Sequence, residues 1–251
     1  MARQRTTRRD VPVAGSRGTD SRALWHAVSM TEAKSLESLG KATVALLGLN
    51  VLWDAVSIGS GSMQLGLLER MHVGDFTQAE LEANDLREML LGFGGTALFL
   101  VTAIVFLMWF HRAYSNVEAL GHMRERTSGW AVGVWFIPIA SLFWPYQMTK
   151  EIFRKDMPAT DDEDVTFKEV PPLVTIWWIA WVGSNILGQV VFRLSNTDTV
   201  AGLENATVMS MVQSVVAIGS AALAILMVRA LTERQERGLA ALHGATQPAV
   251  F

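Results

Sequence analysis

Five uninterrupted apolar blocks, at 42–60, 90–110, 130–146, 173–192 and 206–228, constrain this chain more than any other feature. A bilayer core takes ~20 residues of helix to cross, and each block approaches or reaches that length. One such block is compatible with the core helix of a soluble domain; five in one chain are not. The runs are continuous and lack the period-two alternation of a membrane barrel strand. With 50% of residues hydrophobic and only 18% charged, the expected class is an all-α integral membrane protein.

The sequence divides into a basic tail over 1–30, a helical membrane domain over 31–230 and a tail over 231–251. The opening MARQRTTRRD is basic, but no apolar stretch with a small-residue cleavage site follows it, so it does not read as a signal peptide. Residues 1–30 read as a disordered cytosolic tail, with either Met1 or Met30 as the start. The first helix is expected from Thr31 to about Ile58, ending in the glycine- and serine-rich turn around Ser60. The acidic loop beyond it contains Thr77-Gln-Ala-Glu80, a capping box that satisfies the first free N–H groups of a helix. That helix should run into the second apolar block, where Gly92 to Gly95 permit close backbone approach. Pro171-Pro172 opens the fourth block, since a first helical turn tolerates proline. A polar loop over 195–205 precedes the last block, and Arg229, Arg234 and Arg237 belong to a mobile tail.

Lys and Arg near the ends of spans set orientation. They place the N-terminus and the 111–129 connector in the cytosol and the acidic 59–88 loop outside. The third block decides the rest. It is only seventeen residues, roughly 25 Å as a helix, and Pro138 and Pro145 interrupt it. Trp130, Trp135, Trp144 and Tyr146 suit an interface better than a bilayer centre. Four spanning helices plus one Pro/Trp-rich re-entrant or interfacial segment keep Lys150, Arg154, Lys155 and the C-terminal arginines inside. Five spanning helices, the alternative, put all of them outside.

The stretch 109–152 carries a distinctive pattern. It reads Trp109-Phe110-x-Arg112-Ala113-x-x-Asn116-x-x-Ala119-Leu120-Gly121, then Gly129-Trp130-Ala131-Val132-Gly133-x-Trp135-Phe136-Ile137-Pro138-Ile139. It ends with Leu142-x-x-Pro145-Tyr146-Gln147-x-x-x-Glu151-Ile152. This pattern resembles the family of bacterial membrane proteins known as domain of unknown function 4328, over roughly residues 36–230. Ser128 stands where that family usually has proline, and Ser141 where it often has asparagine. The resemblance implies a multi-span protein of a bacterial cytoplasmic membrane and carries no assigned activity.

Two groups of residues are candidate sites. Asp54 lies within the first span, one turn from Asn50, and an ionisable group at that depth is costly unless paired. Asn185, Gln189 and Arg193 follow at i+4 steps on the fourth span, and Gln213 falls at a similar level on the last. The expectation is a polar cluster in which Asp54 hydrogen-bonds Asn185 or Gln189 and faces Gln213. Helix association is the simpler role for it, a ligand or proton site the sharper one. The second group is Arg112, Asn116, Gln147 and Glu151, with an Arg112–Glu151 ion pair expected to pin the Trp/Pro segment.

Neither thiolate chemistry nor a disulfide is available, since the chain has no cysteine. The histidines His26, His72, His111, His122 and His243 show no metal-ligand spacing, no catalytic or nucleotide-binding motif occurs, and neither a metal nor a cofactor is expected. The basic tail is short and mixed, so its expected partner is anionic lipid and not nucleic acid. The leading expectation is a non-enzymatic scaffold, sensor or accessory subunit acting through a membrane-protein partner or as a homo-oligomer. The alternative is a small transporter, channel or lipid-binding protein using the Asp/Asn/Gln cluster.

Overall fold

The computed structural model describes residues 33–159, 169–197 and 199–246. The tail expected over 1–30 and the acidic run Asp161 to Asp164 lie outside the described residues. The chain forms α1 (Glu37–His72), α2 (Gln78–Ala119), α3 (Trp130–Gly133), two 3-10 turns (Val134–Phe136 and Ala140–Leu142), α4 (Trp144–Arg154), α5 (Pro172–Leu194) and α6 (Val200–Thr246). Four of these, α1, α2, α5 and α6, are long and apolar enough to cross a membrane. Across the bundle they run in the order α2, α1, α6, α5, and α2 and α5 make no extended contact with each other. Leu52, Val56, Phe93, Phe99, Ile104, Ile179, Ile186, Phe192 and Val215 are all exposed. A soluble surface does not carry so much apolar area; here it faces hydrocarbon.

Both ends of the Trp/Pro segment lie at the same end of the bundle. The segment enters beside Phe106 and Phe110 of α2, turns at Ile137-Pro138 between the two 3-10 turns, and leaves along the first turns of α5. Ala131 and Val134 point into the protein, whereas Phe136, Ile139 and Phe143 are exposed. It therefore returns to the end at which it started, as a re-entrant or interfacial element does, and the fold is four spanning helices plus this segment; the five-span alternative does not form. Pro145 occupies the first turn of α4, where the missing N–H costs nothing. The end of the bundle that carries this element and both described termini is called the connector face below, and the opposite end the hairpin face.

Several boundaries differ from those expected. α1 does not stop near Ile58 but continues to His72, because Ser60 and Gly61 are buried at helix contacts. Ser60 bonds Glu88 and Arg87 of α2, and Gly61 lies where a Cβ would come within 2.8 Å of Met211 on α6. Tertiary packing outweighs the turn propensity of glycine and serine there. α6 begins at Val200 inside the expected 195–205 loop, and it does not end near 230. It runs to Thr246 because Leu231, Gln235 and Leu239 extend its buried stripe. The capping box forms as expected, with Thr77 Oγ1 accepting from Glu80 N and Glu80 accepting from Thr77 N. Gly94 and Gly95 accept the indole of Trp53 at a distance no Cβ would allow, and Trp53 Nε1 donates to Leu91 O at 3.2 Å.

The buried core sits at the connector face and not at the bundle centre. It comprises Leu36 before α1, Trp109, Phe110, Ala113, Tyr114 and Val117 at the end of α2, Ala131, Val134, Met148, Ile152 and Phe153 from the Trp/Pro segment and α4, Val174, Trp177 and Trp178 at the start of α5, and Ala224, Met227, Val228 and Leu231 of α6. Trp135 is its wedge: its ring meets Phe106 and Phe110 edge-on at 5.5 and 5.9 Å, and Trp178 and Trp181 at 6.2 and 5.3 Å. These edge-to-face contacts join α2 to α5, which otherwise stand apart.

Candidate functional site

The signature residues converge on the connector face, and a buried carboxylate organises them. Glu151 sits on α4 with its side chain 2% exposed. Its Oε1 accepts from Lys155 Nζ at 2.7 Å and from Glu125 N at 2.8 Å, and its Oε2 accepts from Tyr114 Oη at 2.9 Å. Tyr114 Oη in turn accepts from Arg126 N at 3.0 Å, and Lys155 Nζ also donates to Met123 O. A buried carboxylate needs such a set of donors, because an unpaired one is strongly disfavoured. The consequence is that α4, the end of α2 and the 120–129 connector are held at one point.

The connector is pinned on both flanks. Gly121 adopts φ +87°, a left-handed conformation that suits glycine, just after α2 ends. Ala159 N donates to Leu120 O, and His122 Nε2 lies 2.8 Å from Met157 O. Arg126 bonds Gln147 Oε1 at 3.1 Å and its guanidinium lies 4.7 Å from the Trp144 ring, which meets Trp130 edge-on. Tyr146 Oη bonds Thr175 Oγ1 at 2.9 Å and its ring stacks on Trp178, while Ser141 Oγ donates to Pro138 O in the turn.

A second polar group ties in both ends of the described chain. Asn116, buried on α2, accepts from Lys34 N and donates to Lys34 O at 2.8 Å, with Gln235 Oε1 at 3.4 Å. Gln235 is fully buried and donates to Ala113 O at 2.8 Å. Glu236 accepts from Ser35 Oγ and Leu36 N, and so supplies from α6 the cap that α1 lacks locally. Arg234 pairs with the buried Asp156 at 3.2 Å, and Trp109 Nε1 donates to Thr232 Oγ1. Gly238 abuts Asp156 so closely that a Cβ would stand 2.1 Å from its carbonyl oxygen.

The expected Arg112–Glu151 pair does not form. Arg112 is directed away and donates to Ser35 O at 3.1 Å, while Glu151 has Lys155 one turn along its own helix. The i,i+4 neighbour reaches the carboxylate without crossing the core. The expected hydrogen bonds among Asp54, Asn185, Gln189 and Gln213 do not form either, because α1 and α5 lie on opposite sides of α6. Asn50 bonds Leu46 O and Thr102 Oγ1, and Asn185 bonds Trp181 O within its own helix. Gln213 Nε2 approaches Ser184 Oγ at 3.5 Å, and its Oε1 is buried without a partner. Asp54 makes no hydrogen bond or ion pair among the described residues. Gln189 and Arg193 are exposed on α5.

Sequence reasoning missed Tyr114, Lys155, Gln235 and Glu236. A signal for the last two was present: Ala224, Met227, Val228, Leu231 and Leu239 continue a helical apolar stripe well past the span. Among the described residues no group of His, Asp or Glu is arranged to hold a metal ion, and the two best-formed hollows are shallow and apolar, lining Trp53.

Four lipid-facing spans clasped at one end by the Trp/Pro segment define a multi-pass helical membrane protein. A family model described as Domain of unknown function (DUF4328) matches residues 74–233, and the chain belongs to this family. No curated protein and no solved structure matches the chain.

Proposed function

We propose that this is a non-enzymatic membrane protein, a scaffold, sensor or accessory subunit, that acts by presenting its connector face to a partner. The observation that carries the reading is the fate of the chemistry-bearing residues. Glu151, Tyr114, Asn116, Gln235 and Asp156 are all consumed in holding the face together, and none is aimed into a cavity. A rigid, pre-organised face of this kind lowers the ordering cost of docking. Lys150, Arg154, Arg229 and Arg237 are free of ion pairs among the described residues and give the face a basic surface.

The connector face lies in the cytosol of a bacterial inner membrane in this reading. Lys34, Lys41, Arg112, Arg124, Arg126, Lys150, Arg154, Lys155 and the α6 arginines are at this end, against Arg70, Arg87 and Arg193 at the hairpin face. Short basic flanks stay on the cytosolic side. The test is co-purification from native membranes of a stoichiometric partner that is lost on Lys150→Glu with Arg229→Glu, while the variant stays folded. Purification without any partner, together with flux through liposomes containing the pure protein, overturns it.

One observation favours a second reading, transport or ligand binding in the membrane: Asp54 is half-buried within a span and has no hydrogen-bond or ion-pair partner among the described residues. Such a residue is a candidate proton or cation carrier. Asp54→Asn abolishing flux in liposomes supports that reading, and the absence of flux in the wild-type protein removes it.

A further inference from the structure

The flank of α5 that faces the membrane carries polar groups the connector face does not use. Trp181, Asn185, Gln189 and Arg193 follow one another at i+4 steps and share one side of the helix. The last three are exposed. With Pro172 taken as the edge of a hydrocarbon core ~30 Å thick, counting ~1.5 Å per residue puts Asn185 about 20 Å and Gln189 about 26 Å along the helix, Asn185 about 10 Å inside the nearer edge. Asn185 Nδ2 donates to Trp181 O at 2.7 Å, and its carbonyl oxygen and second N–H make no hydrogen bond among the described residues. Gln189 has no side-chain hydrogen bond among the described residues.

Primary amides turned toward lipid tails are disfavoured, because hydrocarbon offers no hydrogen bonds. Lipid headgroups do not reach the depth of Asn185. Whatever covers this flank must bring donors and acceptors to the same level. A second copy of the chain, inserted the same way, does so without further adjustment. A two-fold axis along the membrane normal sets Asn185 opposite Asn185 and Gln189 opposite Gln189. A primary amide carries both a donor and an acceptor and is its own complement. Interhelical amide bonds of this type drive helix association in membranes. Arg193, two turns beyond Asn185, sits at headgroup level, where two arginines splay into phosphate and water.

We infer that the Asn185–Gln189 flank of α5 is the surface through which two copies of this chain associate, amide to amide, within the bilayer. The chain has no native cysteine, so single cysteines report the contact directly. In liposomes, Asn185→Cys and Gln189→Cys should each form a disulfide-linked dimer on mild oxidation. Gly183→Cys should not: it lies nearly on the opposite side of α5, where an added Cβ meets open space. Asn185→Leu with Gln189→Leu should weaken association by about tenfold or more, read by single-molecule photobleaching at varied protein-to-lipid ratio. Three results overturn the inference: equal cross-linking at position 183, a wild-type protein that is monomeric at every density, or a leucine variant that associates like wild type. A monomer retaining bound phospholipid in native mass spectrometry reassigns the flank to lipid. Should the leucine variant fail to fold, the cysteine pattern alone decides. None of these outcomes bears on the connector face, which lies at the other end of α5.

Discussion

Replacing Glu151 with alanine is the most informative single perturbation of this protein. The carboxylate accepts three hydrogen bonds in a site closed to water, one from an ammonium and one from a phenol. Alanine leaves Tyr114 Oη and Glu125 N without their acceptor and Lys155 with only Met123 O, and breaking a buried pair in this way costs about 3–5 kcal/mol. Glutamine keeps the shape but turns an NH2 group toward one of the three donors, so it should cost less, about 1–3 kcal/mol. Tyr114→Phe removes one charge-assisted bond, and a cycle with Glu151→Gln should give a coupling energy of about 1–2 kcal/mol. Unfolding in mixed micelles, followed by tryptophan fluorescence, reports on the connector face, since Trp109, Trp135, Trp144, Trp177 and Trp178 belong to or pack against its core. A loss below about 0.5 kcal/mol for Glu151→Ala, in the range of ordinary surface substitutions, refutes the reasoning. So does strict additivity of Tyr114→Phe and Glu151→Gln.

Four further outcomes are expected. Gly238→Ala should destabilise the protein by about 1–3 kcal/mol, because its methyl group would overlap the Asp156 carbonyl; the same unfolding assay reads it. Gly95→Leu should expel the Trp53 indole and break its bond to Leu91 O, visible as a red-shifted or quenched emission relative to a Trp53→Phe control. Arg112→Glu should cost less than about 1 kcal/mol, and adding Glu151→Arg should deepen the loss and not rescue it, since the two side chains do not meet. An impermeant maleimide added to intact cells should label Asp75→Cys and spare Glu125→Cys; both positions are exposed, at opposite ends of the bundle.

The membrane class, four of the five helical blocks and the capping box were legible because each depends on local chemistry. Long apolar runs need no partner to be recognised, and Thr77 and Glu80 are three residues apart. That the third block does not span was legible from Pro138, Pro145 and the interfacial aromatics, together with the positions of the basic flanks. Helix ends that depend on distant residues were not. Ser60 and Gly61 look like a turn until Glu88, Arg87 and Met211 are known to lie against them. The candidate polar cluster assumed that residues at equal depth are neighbours, but depth fixes only one coordinate. Which helix stands beside which is set by packing, and α6 separates Asp54 from Asn185. Glu151 was recognisable as important, whereas its partners were not, because Tyr114 and Glu125 reach it only through the fold of the connector.

The placement of Gln235 and Glu236 has a consequence for biogenesis. These residues bond Asn116, Ser35 and Leu36, groups made some 119 to 201 positions earlier. During synthesis the first two helices insert as a hairpin long before their clasp exists. The buried amide of Asn116 and the open start of α1 must therefore wait, in contact with water or a chaperone, until Gln235 and Glu236 have emerged. A polypeptide that stalls or is cut after α5 has made three of the four spanning helices yet cannot close, which gives a membrane protease a physical mark by which to distinguish unfinished chains from finished ones.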